Sequence, residues 1–250
     1  MKRSRIALLA MTVLLLVALG TTTGCRRVKL VDGPMVGAVD QTQTVPMGAA
    51  TSLRTSVRMG IGTLRLKAGE PSSTLALAAA FSYPKSWKPE VKYAVEATQG
   101  MLSVIQPEIH GLPGLRERDN FWSLVLAPGV PTDLTLKVGT GESKIDLRGI
   151  DVTSLEVVSG VGAMTLNLSG PRPHDVHGRI ESGVGAMDIV VPSGVGVRLV
   201  GGTDGVGNLT ASGFTKSDGG LVNSAWGKAG PKIDLTLTRG VGDIKVMSAQ

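Results

Sequence analysis

Among the Gly-x-Gly triplets of this 250-residue chain, six that precede a strand-like alternation have a spacing that suggests chemistry. The triplets are Gly60-Ile61-Gly62, Gly139-Thr140-Gly141, Gly160-Val161-Gly162, Gly183-Val184-Gly185, Gly205-Val206-Gly207 and Gly240-Val241-Gly242. A dinucleotide-binding loop needs a third glycine three residues further on, and a helix whose N-terminus receives the phosphates. Those six positions hold arginine, lysine, threonine or aspartate, and no helical pattern follows any triplet. We therefore expect no cofactor, and we expect these glycines to form structural turns.

Three aspartates that follow triplets, Asp146, Asp188 and Asp243, suggest a second chemistry. Polysaccharide lyases and hydrolases with a β-helical fold carry acidic residues along one face, so a carbohydrate-active enzyme is one alternative. Basic residues lie between these aspartates, which is the ordinary mixed charge of a sheet surface. The chain also has no Gly-x-Ser-x-Gly sequence for a serine nucleophile. The leading expectation is a protein without catalytic residues.

The three histidines, His110, His174 and His177, do not form a metal-binding pattern. His174 and His177 flank Asp175 in a proline-containing turn, but a structural zinc ion needs four ligands. The chain has a single cysteine, Cys25, so no thiolate cluster can complete such a site. We expect no bound metal.

Cys25 lies where a lipid-attachment site would stand. Lys2, Arg3 and Arg5 precede an apolar stretch over residues 6–19, which is typical of an export signal. The following Thr22-Thr23-Gly24-Cys25 resembles the lipobox of bacterial lipoproteins, with Thr22 in place of the usual leucine. We predict a lipoprotein signal peptide over residues 1–24, lipidation of Cys25 and a membrane-anchored location at the envelope or its periplasmic side.

Charge excludes one class of partner. Without the three basic residues of the predicted signal peptide, 23 lysines and arginines face 20 aspartates and glutamates, a mature charge of about +3. We expect no nucleic-acid partner at that charge. The single cysteine also excludes an internal disulfide, so the exported domain must be held together by its core and its backbone hydrogen bonds.

Alternating apolar and polar residues after each triplet predict strands that position these glycines. One inward-facing column is expected to contain Leu64, Ser143, Met164, Met187, Leu209 and Ile244, and a second Leu66, Ile145, Leu166, Ile189, Ala211 and Val246. The outward column between them contains Arg65, Lys144, Thr165, Asp188, Thr210 and Lys245. We therefore predict an almost wholly β protein in which equivalent strands stack.

The middle triplets start 21, 23 and 22 residues apart, which indicates β-solenoid rungs of about 22 residues. At each corner the glycines would supply positive φ and leave space that a Cβ would fill. We expect the residue between them, usually valine, to point into the core, and successive copies to stack in chain order. The 35-residue gap between the last two triplets then holds an insertion or longer loop at 213–230. This segment is either a binding loop or a cover in which Trp226 closes the open side of the stack.

Composition divides the chain further. Residues 25–40 are predicted to be a lipidated tether, 41–131 an N-terminal β region of more irregular form, and 132–250 the Gly-x-Gly solenoid. Six of the eight aromatic residues lie between residues 81 and 122, so bulky rings belong to the N-terminal region. Residues 72–80 fit either a short helix or a strand.

Several segments of the chain together resemble a known family. They are the run Arg58 to Leu66, Phe81-Ser82-Tyr83, Trp87 to Tyr93, Asn120-Phe121-Trp122 and the run Leu134 to Leu147. These segments resemble the toast-rack domains of bacterial envelope proteins, which are similar to putative-adhesin β-solenoids and to the C-terminal domain of LiaF-type regulators. The resemblance spans roughly residues 55–250. It implies a right-handed parallel β-solenoid with a binding or sensing role and brings no catalytic residue.

Three functions follow from these observations. The first is a non-enzymatic, lipid-anchored envelope protein whose solenoid surface binds an envelope protein, a cell-wall glycan or its own copies, as an adhesin does. The second is an accessory sensor of envelope stress that acts on a membrane regulator. The third is the carbohydrate-active enzyme considered above.

Overall fold

The computed structural model describes residues 38–108, 120–217 and 219–249. Cys25, the predicted signal peptide and His110 lie outside these residues. The described residues form nineteen strands and one 3-10 helix, η1 (Lys85–Trp87). The strands are β1 (Val39–Pro46), β2 (Ser52–Ile61), β3 (Thr63–Ala68), β4 (Leu75–Tyr83), β5 (Glu90–Glu96), β6 (Gln99–Ile105), β7 (Phe121–Leu126), β8 (Thr132–Thr140), β9 (Ser143–Asp146), β10 (Val152–Val161), β11 (Met164–Asn167), β12 (Val176–Val184), β13 (Met187–Val191), β14 (Gly196–Gly201), β15 (Leu209–Ala211), β16 (Phe214–Ser217), β17 (Gly220–Asn223), β18 (Lys232–Val241) and β19 (Ile244–Ser248).

The strands form two sheets that face each other across one core. Sheet A has the order β1-β4-β7-β3-β9-β11-β13-β19-β15, and sheet B the order β16-β17-β14-β18-β12-β10-β8-β2-β6-β5. Between their ends both sheets are parallel. The predicted all-β, parallel solenoid is therefore confirmed. The predicted boundary between the N-terminal region and the repeats, at residues 131 and 132, does not separate the sheets. Strands from both sides of it pair directly, β2 with β8 and β3 with β9.

Each rung consists of a strand in sheet B, a Gly-x-Gly corner and a strand in sheet A. In stacking order the pairs are β2 and β3 (rung 1), β8 and β9 (rung 2), β10 and β11 (rung 3), β12 and β13 (rung 4), β18 and β19 (rung 5), and β14 and β15 (rung 6). Rung 5 comes last in the chain but lies between rungs 4 and 6. The prediction that the copies stack in chain order is wrong here, because the chain passes rung 6 before it returns to fill the gap.

Apolar ladders between the sheets confirm the predicted inward columns. Met164 pairs with Met187, and Met187 with Ile244, in adjacent parallel strands. All three side chains are buried, whereas Leu209 at the end of that column is half-buried. Each fully buried aliphatic side chain contributes about 1.5–3 kcal/mol relative to its exposed state, so the repeated column stabilises the register of the stack.

Antiparallel strands close the two ends of the stack. At the rung 1 end, β6 and β7 continue the parallel sheets, and β1, β4 and β5 then pair antiparallel outside them. Here Phe81 meets Trp122 edge to face at 5.4 Å between ring centroids, which fits the predicted concentration of aromatic residues. Of the two structures predicted for residues 72–80, the strand is correct, since β4 begins at Leu75.

The predicted insertion at 213–230 contains a β-hairpin rather than a loop. Strands β16 and β17 pair with each other, and β17 pairs antiparallel with β14 at the edge of sheet B. Trp226 follows this hairpin and is half-buried. The Arg198 guanidinium and the Lys232 ammonium lie 5.3 and 5.5 Å from its ring centroid. The hairpin therefore covers the rung 6 end of sheet B, while Trp226 packs against the outer face of that sheet.

Candidate functional site

The predicted turn glycines lie at the stacked corners between the sheets. The second glycine of each of these six triplets has a positive φ, which side chains with a Cβ adopt at a cost. These residues are Gly62, Gly141, Gly162, Gly185, Gly207 and Gly242, with φ between 123° and 146°. Among the first glycines, which are Gly60, Gly139, Gly160, Gly183, Gly205 and Gly240, only Gly205 has a positive φ.

Close backbone contact gives most of these glycines a second reason to lack a side chain. A Cβ on Gly141 would clash with the carbonyl oxygen of Gly62, and one on Gly162 with the carbonyl oxygen of Gly141. The first glycines meet the same obstacle, since a Cβ on Gly160 would strike the carbonyl oxygen of Gly139. Gly60, at the end of the series, has space for a Cβ. The backbones of adjacent corners therefore approach more closely than any other residue would permit.

The residues between the glycines project outward, and the prediction that they enter the core is wrong. Val161 is 51% exposed, Val184 and Val241 are each 49% exposed, and Val206 is 68% exposed. Residues in the strands on either side of a corner, such as Val157 and Met164, are buried in the core, whereas the middle residue of the triplet faces solvent.

These outward residues form a continuous ladder that we call the valine ridge. In stacking order it contains Ile61, Thr140, Val161, Val184, Val241 and Val206. Neighbouring members lie about 4.8 Å apart, the spacing of paired strands. Six large apolar side chains are exposed among the described residues, and four of them belong to this ridge. Sequence reasoning missed the ridge because alternation assigns these positions to the inner face.

Small and charged residues border the ridge on both sides. Two residues after the ridge position, Ala163 and Ala186 are exposed in the corners just before β11 and β13. In rung 2, Lys137 lies three residues before the ridge and Lys144 four residues after it. The equivalent positions of rung 4 hold Glu181 and Asp188. The apolar ridge thus has basic borders at rung 2 and acidic borders at rung 4.

Two amide side chains complete the corner at the rung 1 end. Gln106 accepts hydrogen bonds from the backbone amides of Gly60 and Ile61, at 2.8 and 3.1 Å. Asn120 donates to the carbonyl oxygen of Ile61 at 2.6 Å and accepts from the Trp122 indole at 2.9 Å. These two side chains therefore make hydrogen bonds to the backbone of the rung 1 corner, whereas in the other corners the backbone of a neighbouring rung makes such bonds. Nothing in the repeat pattern indicated this role, because neither residue belongs to a triplet.

A buried arginine holds the corner at the other end. Arg239 lies just before the rung 5 triplet, where rungs 3 and 4 have Ser159 and Ser182. Its guanidinium donates to the carbonyl oxygens of Asp204 and Thr203, at 3.1 and 3.5 Å. This contact joins the irregular corner of rung 6, which carries Val206, to rung 5.

The structure does not gather the three candidate catalytic aspartates. Asp146 and Asp188 lie on the outer face of sheet A and Asp243 lies just before β19, and they stand five, three and one residues after their triplets, so they occupy different columns. Arg148 donates to the Asp146 carboxylate from Nε and Nη2, at 2.9 and 2.6 Å. Hydrogen bonding to Arg148 lowers the pKa of Asp146, so this carboxylate is stabilised as an anion rather than poised to donate a proton.

The described histidines do not meet. His174 Nδ1 lies 2.7 Å from the buried carboxylate of Asp151, whereas His177 is exposed on the outer face of sheet B. Across the parts of the chain that the structure describes, three or more potential metal ligands nowhere cluster. Within the same residues, the structure contains no helix of the length and hydrophobicity needed to cross a membrane.

Comparison with known proteins identifies the family. A family model described as the N-terminal domain of toast_rack, DUF2154, matches residues 36–190. The crystal structure of a putative cell adhesion protein from Clostridium sporogenes ATCC 15579 is 31% identical, has a TM-score of 0.78 and aligns over 85% of this chain and 100% of that chain. A putative adhesin from Bacteroides fragilis NCTC 9343 is 12% identical over 84% of this chain and 97% of that one, but its TM-score is only 0.24. No curated protein matches. The chain belongs to the toast-rack family.

Proposed function

We propose that this protein is a non-enzymatic, adhesin-like component of the cell surface that binds other proteins through the valine ridge. The observation that carries the proposal is the row of exposed valines along one edge of the solenoid. Contiguous exposed apolar side chains are unusual on a soluble surface and commonly mark an interaction site. The similarity to the putative cell adhesion protein from Clostridium sporogenes supports the same function.

The backbone of the ridge favours binding because it is already ordered. Each corner is fixed by hydrogen bonds to its neighbours, such as the 2.9 Å bond from the Gly141 amide to the Val161 carbonyl oxygen. Valine has a single side-chain torsion, so little conformational entropy remains to be lost when a partner packs against it. A partner with an apolar surface would gain contact along the row without a change in the solenoid.

Attachment at Cys25 would place this surface outside the cell. The proposal rests on the export signal and on the resemblance of residues 22–25 to a lipobox. The first strand begins at Val39, so the thirteen residues 26–38 would separate the lipid from the solenoid. A fully extended chain of that length reaches at most about 45 Å, which permits presentation away from the membrane surface.

Cell attachment tests the proposed function. A strain that displays the full chain is compared with strains that carry Val161→Asp with Val184→Asp, and Ser154→Asp with His177→Asp as a matched control on the same two rungs. Because charge on the ridge opposes apolar contact, the ridge variant should lower attachment or aggregation by at least about tenfold, while the control retains it. Equal attachment by the ridge variant and the wild type, at equal surface amounts, would refute a role for the ridge.

A further inference from the structure

We infer that the outer face of sheet A binds a linear polymer that carries phosphate groups, along β3 and β9 of rungs 1 and 2. Three exposed basic side chains, Arg65, Lys67 and Lys144, form this surface, which we call the basic face. The inference goes beyond the proposed function, because the basic face lies on a sheet rather than on the ridge and recognises charge rather than an apolar surface.

Basic residues are partnered differently on the two sheets. On the outer face of sheet B, ion pairs join neighbouring rungs, as between Arg54 and Asp133 at 3.7 Å and between Lys137 and Glu156 at 2.8 Å. Within the described ranges, the three residues of the basic face make no ion pair. Their charges are therefore available to a ligand.

Two cations of the basic face lie directly opposite each other. Arg65 pairs in register with Lys144 across the parallel strands β3 and β9. Like charges at such positions destabilise a sheet. The same column has the uncharged Thr165 in rung 3, and Lys245 of rung 5 lies opposite Asp188 of rung 4, an attractive arrangement. An anion bound between Arg65 and Lys144 would replace their repulsion by two attractions.

The Arg65 guanidinium is already positioned for such an anion. It lies 5.2 Å from the centroid of the Phe121 ring on the neighbouring strand β7, a cation–π contact. Stacking on a ring leaves the N–H groups at the edge of the guanidinium free, and Arg65 donates to no described side chain or carbonyl oxygen. Arginine in this state can bind two oxygens of one phosphate group.

The basic face is narrow, which favours a single polymer chain over a membrane. The cations occupy two adjacent strands about 4.8 Å apart, and the two on β3 are about 6.6 Å apart. Uncharged Ser123 and Thr165 flank them on β7 and β11. Asp40 on β1 and Asp188 on β13 follow further out. A flat anionic membrane would meet these carboxylates as well, whereas a chain along β3 and β9 would not.

A groove continues the basic face beyond the strand ends. Since β3, β7 and β9 are parallel, the loops that follow them lie on the same side. The groove has a volume of about 550 Å³, and its lining includes Lys67, Gly129, Asp146 and Arg148. Arg148 already binds the Asp146 carboxylate. Glu70 lies in the loop after β3 but does not line the groove.

These donors suit phosphate better than a sugar acid. Lysine and arginine only donate hydrogen bonds, and a phosphodiester only accepts them. The hydroxyl groups of a polysaccharide need acceptors as well, and the Asp146 carboxylate is occupied by Arg148. Glu142, in the corner before β9, leaves the basic face with a net charge of +2, from three basic side chains and one acid.

Binding of a fluorescent glycerol phosphate oligomer tests the inference. The full-length chain is held in a neutral detergent, and binding is followed by anisotropy. Lys144→Thr is compared with Lys245→Thr, which removes the same charge from the same column three strands away. We expect Lys144→Thr to weaken binding about tenfold and Lys245→Thr to weaken it less than about twofold. Added salt should weaken binding by the wild type.

The fold of the variants is checked by their Tm. Without polymer, Lys144→Thr should unfold at the wild-type Tm or above it, because the repulsion from Arg65 is removed. The oligomer should raise the Tm of the wild type more than that of Lys144→Thr. Arg65→Thr is a second variant with the same expected loss of binding, should Lys144→Thr prove unstable.

Several results would overturn the inference. They are no binding by the wild type, equal loss in Lys144→Thr and Lys245→Thr, or equal displacement of the oligomer by polygalacturonate at the same concentration of charge. Equal displacement by phosphatidylglycerol in mixed micelles would identify a membrane as the occupant instead. The ridge variant Val161→Asp with Val184→Asp should bind the oligomer like the wild type, so this inference and the proposed function fail separately.

Discussion

Individual glycines limit how closely the corners of this protein can stack. The carbonyl oxygen of each corner occupies the space that a side chain on the next corner would need, and the second glycine of each triplet also adopts a positive φ. These two constraints are separable. Gly129 has a φ of 62° with no atom near its missing Cβ, whereas Gly141 has both a φ of 138° and the carbonyl oxygen of Gly62 in contact.

Replacing these two glycines measures the constraint that stacking adds. We expect Gly129→Ala to cost about 1 kcal/mol, the strain of a positive φ, and Gly141→Ala to cost at least about 3 kcal/mol because neighbouring backbones must also move apart. For a domain of this size, that corresponds to a fall in Tm of roughly 6 °C or more for Gly141→Ala. Equal Tm values for the two variants, measured by circular dichroism, would show that close stacking adds nothing.

A buried arginine joins two rungs where strands leave sheet A. The Arg172 guanidinium donates to the carbonyl oxygens of Leu147 and Ile150 after rung 2 at 3.2 and 2.9 Å, and to that of Leu168 after rung 3 at 2.7 Å. Burial lowers the pKa of Arg172. These carbonyl oxygens lie beyond the ends of β9 and β11. The guanidinium, with its fixed set of donors, supplies hydrogen bonds there that no paired strand supplies.

Substitution of Arg172 should destabilise the protein where the chain leaves β9 and β11. We expect Arg172→Ala to lower the free energy of unfolding by about 3 kcal/mol, since the Leu168 carbonyl oxygen loses its donors and those of Leu147 and Ile150 keep only a backbone amide. Arg172→Lys should recover only part of that loss, because lysine cannot present a planar fork. Arg179→Ala, on the exposed face of sheet B, is the matched control and should change stability by under about 1 kcal/mol. Denaturant unfolding that gives the same midpoint for all three variants would contradict this role.

Sequence patterns predicted the strands and the apolar columns because a period of two describes a half-buried strand directly. They failed at Val161, Val184 and Val241, where the chain bends and alternation no longer states which way a side chain points. They also failed for the order of rungs 5 and 6, since equivalent repeats pair equally well by sequence. Gln106 and Asn120 were missed because their hydrogen bonds to the rung 1 corner cross more than 40 residues.

The whole molecule combines a rigid solenoid, an exposed ridge along one edge and a proposed lipid anchor before its first strand. Adhesion between surfaces requires all three, because a ridge on a released domain could bind without joining two membranes. The anchor can therefore be tested independently of the ridge.

Replacing Cys25 should release the protein without changing its fold. We expect Cys25→Ser to abolish incorporation of a palmitate analogue and to reduce cell aggregation, because the thiol proposed to carry the lipid is lost. Thermal unfolding of the solenoid should match the wild type, since the described strands begin only at Val39. Undiminished palmitate labelling of the variant would contradict lipidation at Cys25.

The adhesive role of the valine ridge can be tested by measuring the burial of the ridge during adhesion. Full-length chains with Val184→Cys or His177→Cys in the same rung are displayed on cells, and the rate of maleimide labelling is compared between dispersed and aggregated cells. We expect the labelling rate of Val184→Cys to fall by about tenfold on aggregation, as for the desolvated centre of an interface, and that of His177→Cys to stay unchanged. Equal labelling of Val184→Cys in dispersed and aggregated cells would contradict that role.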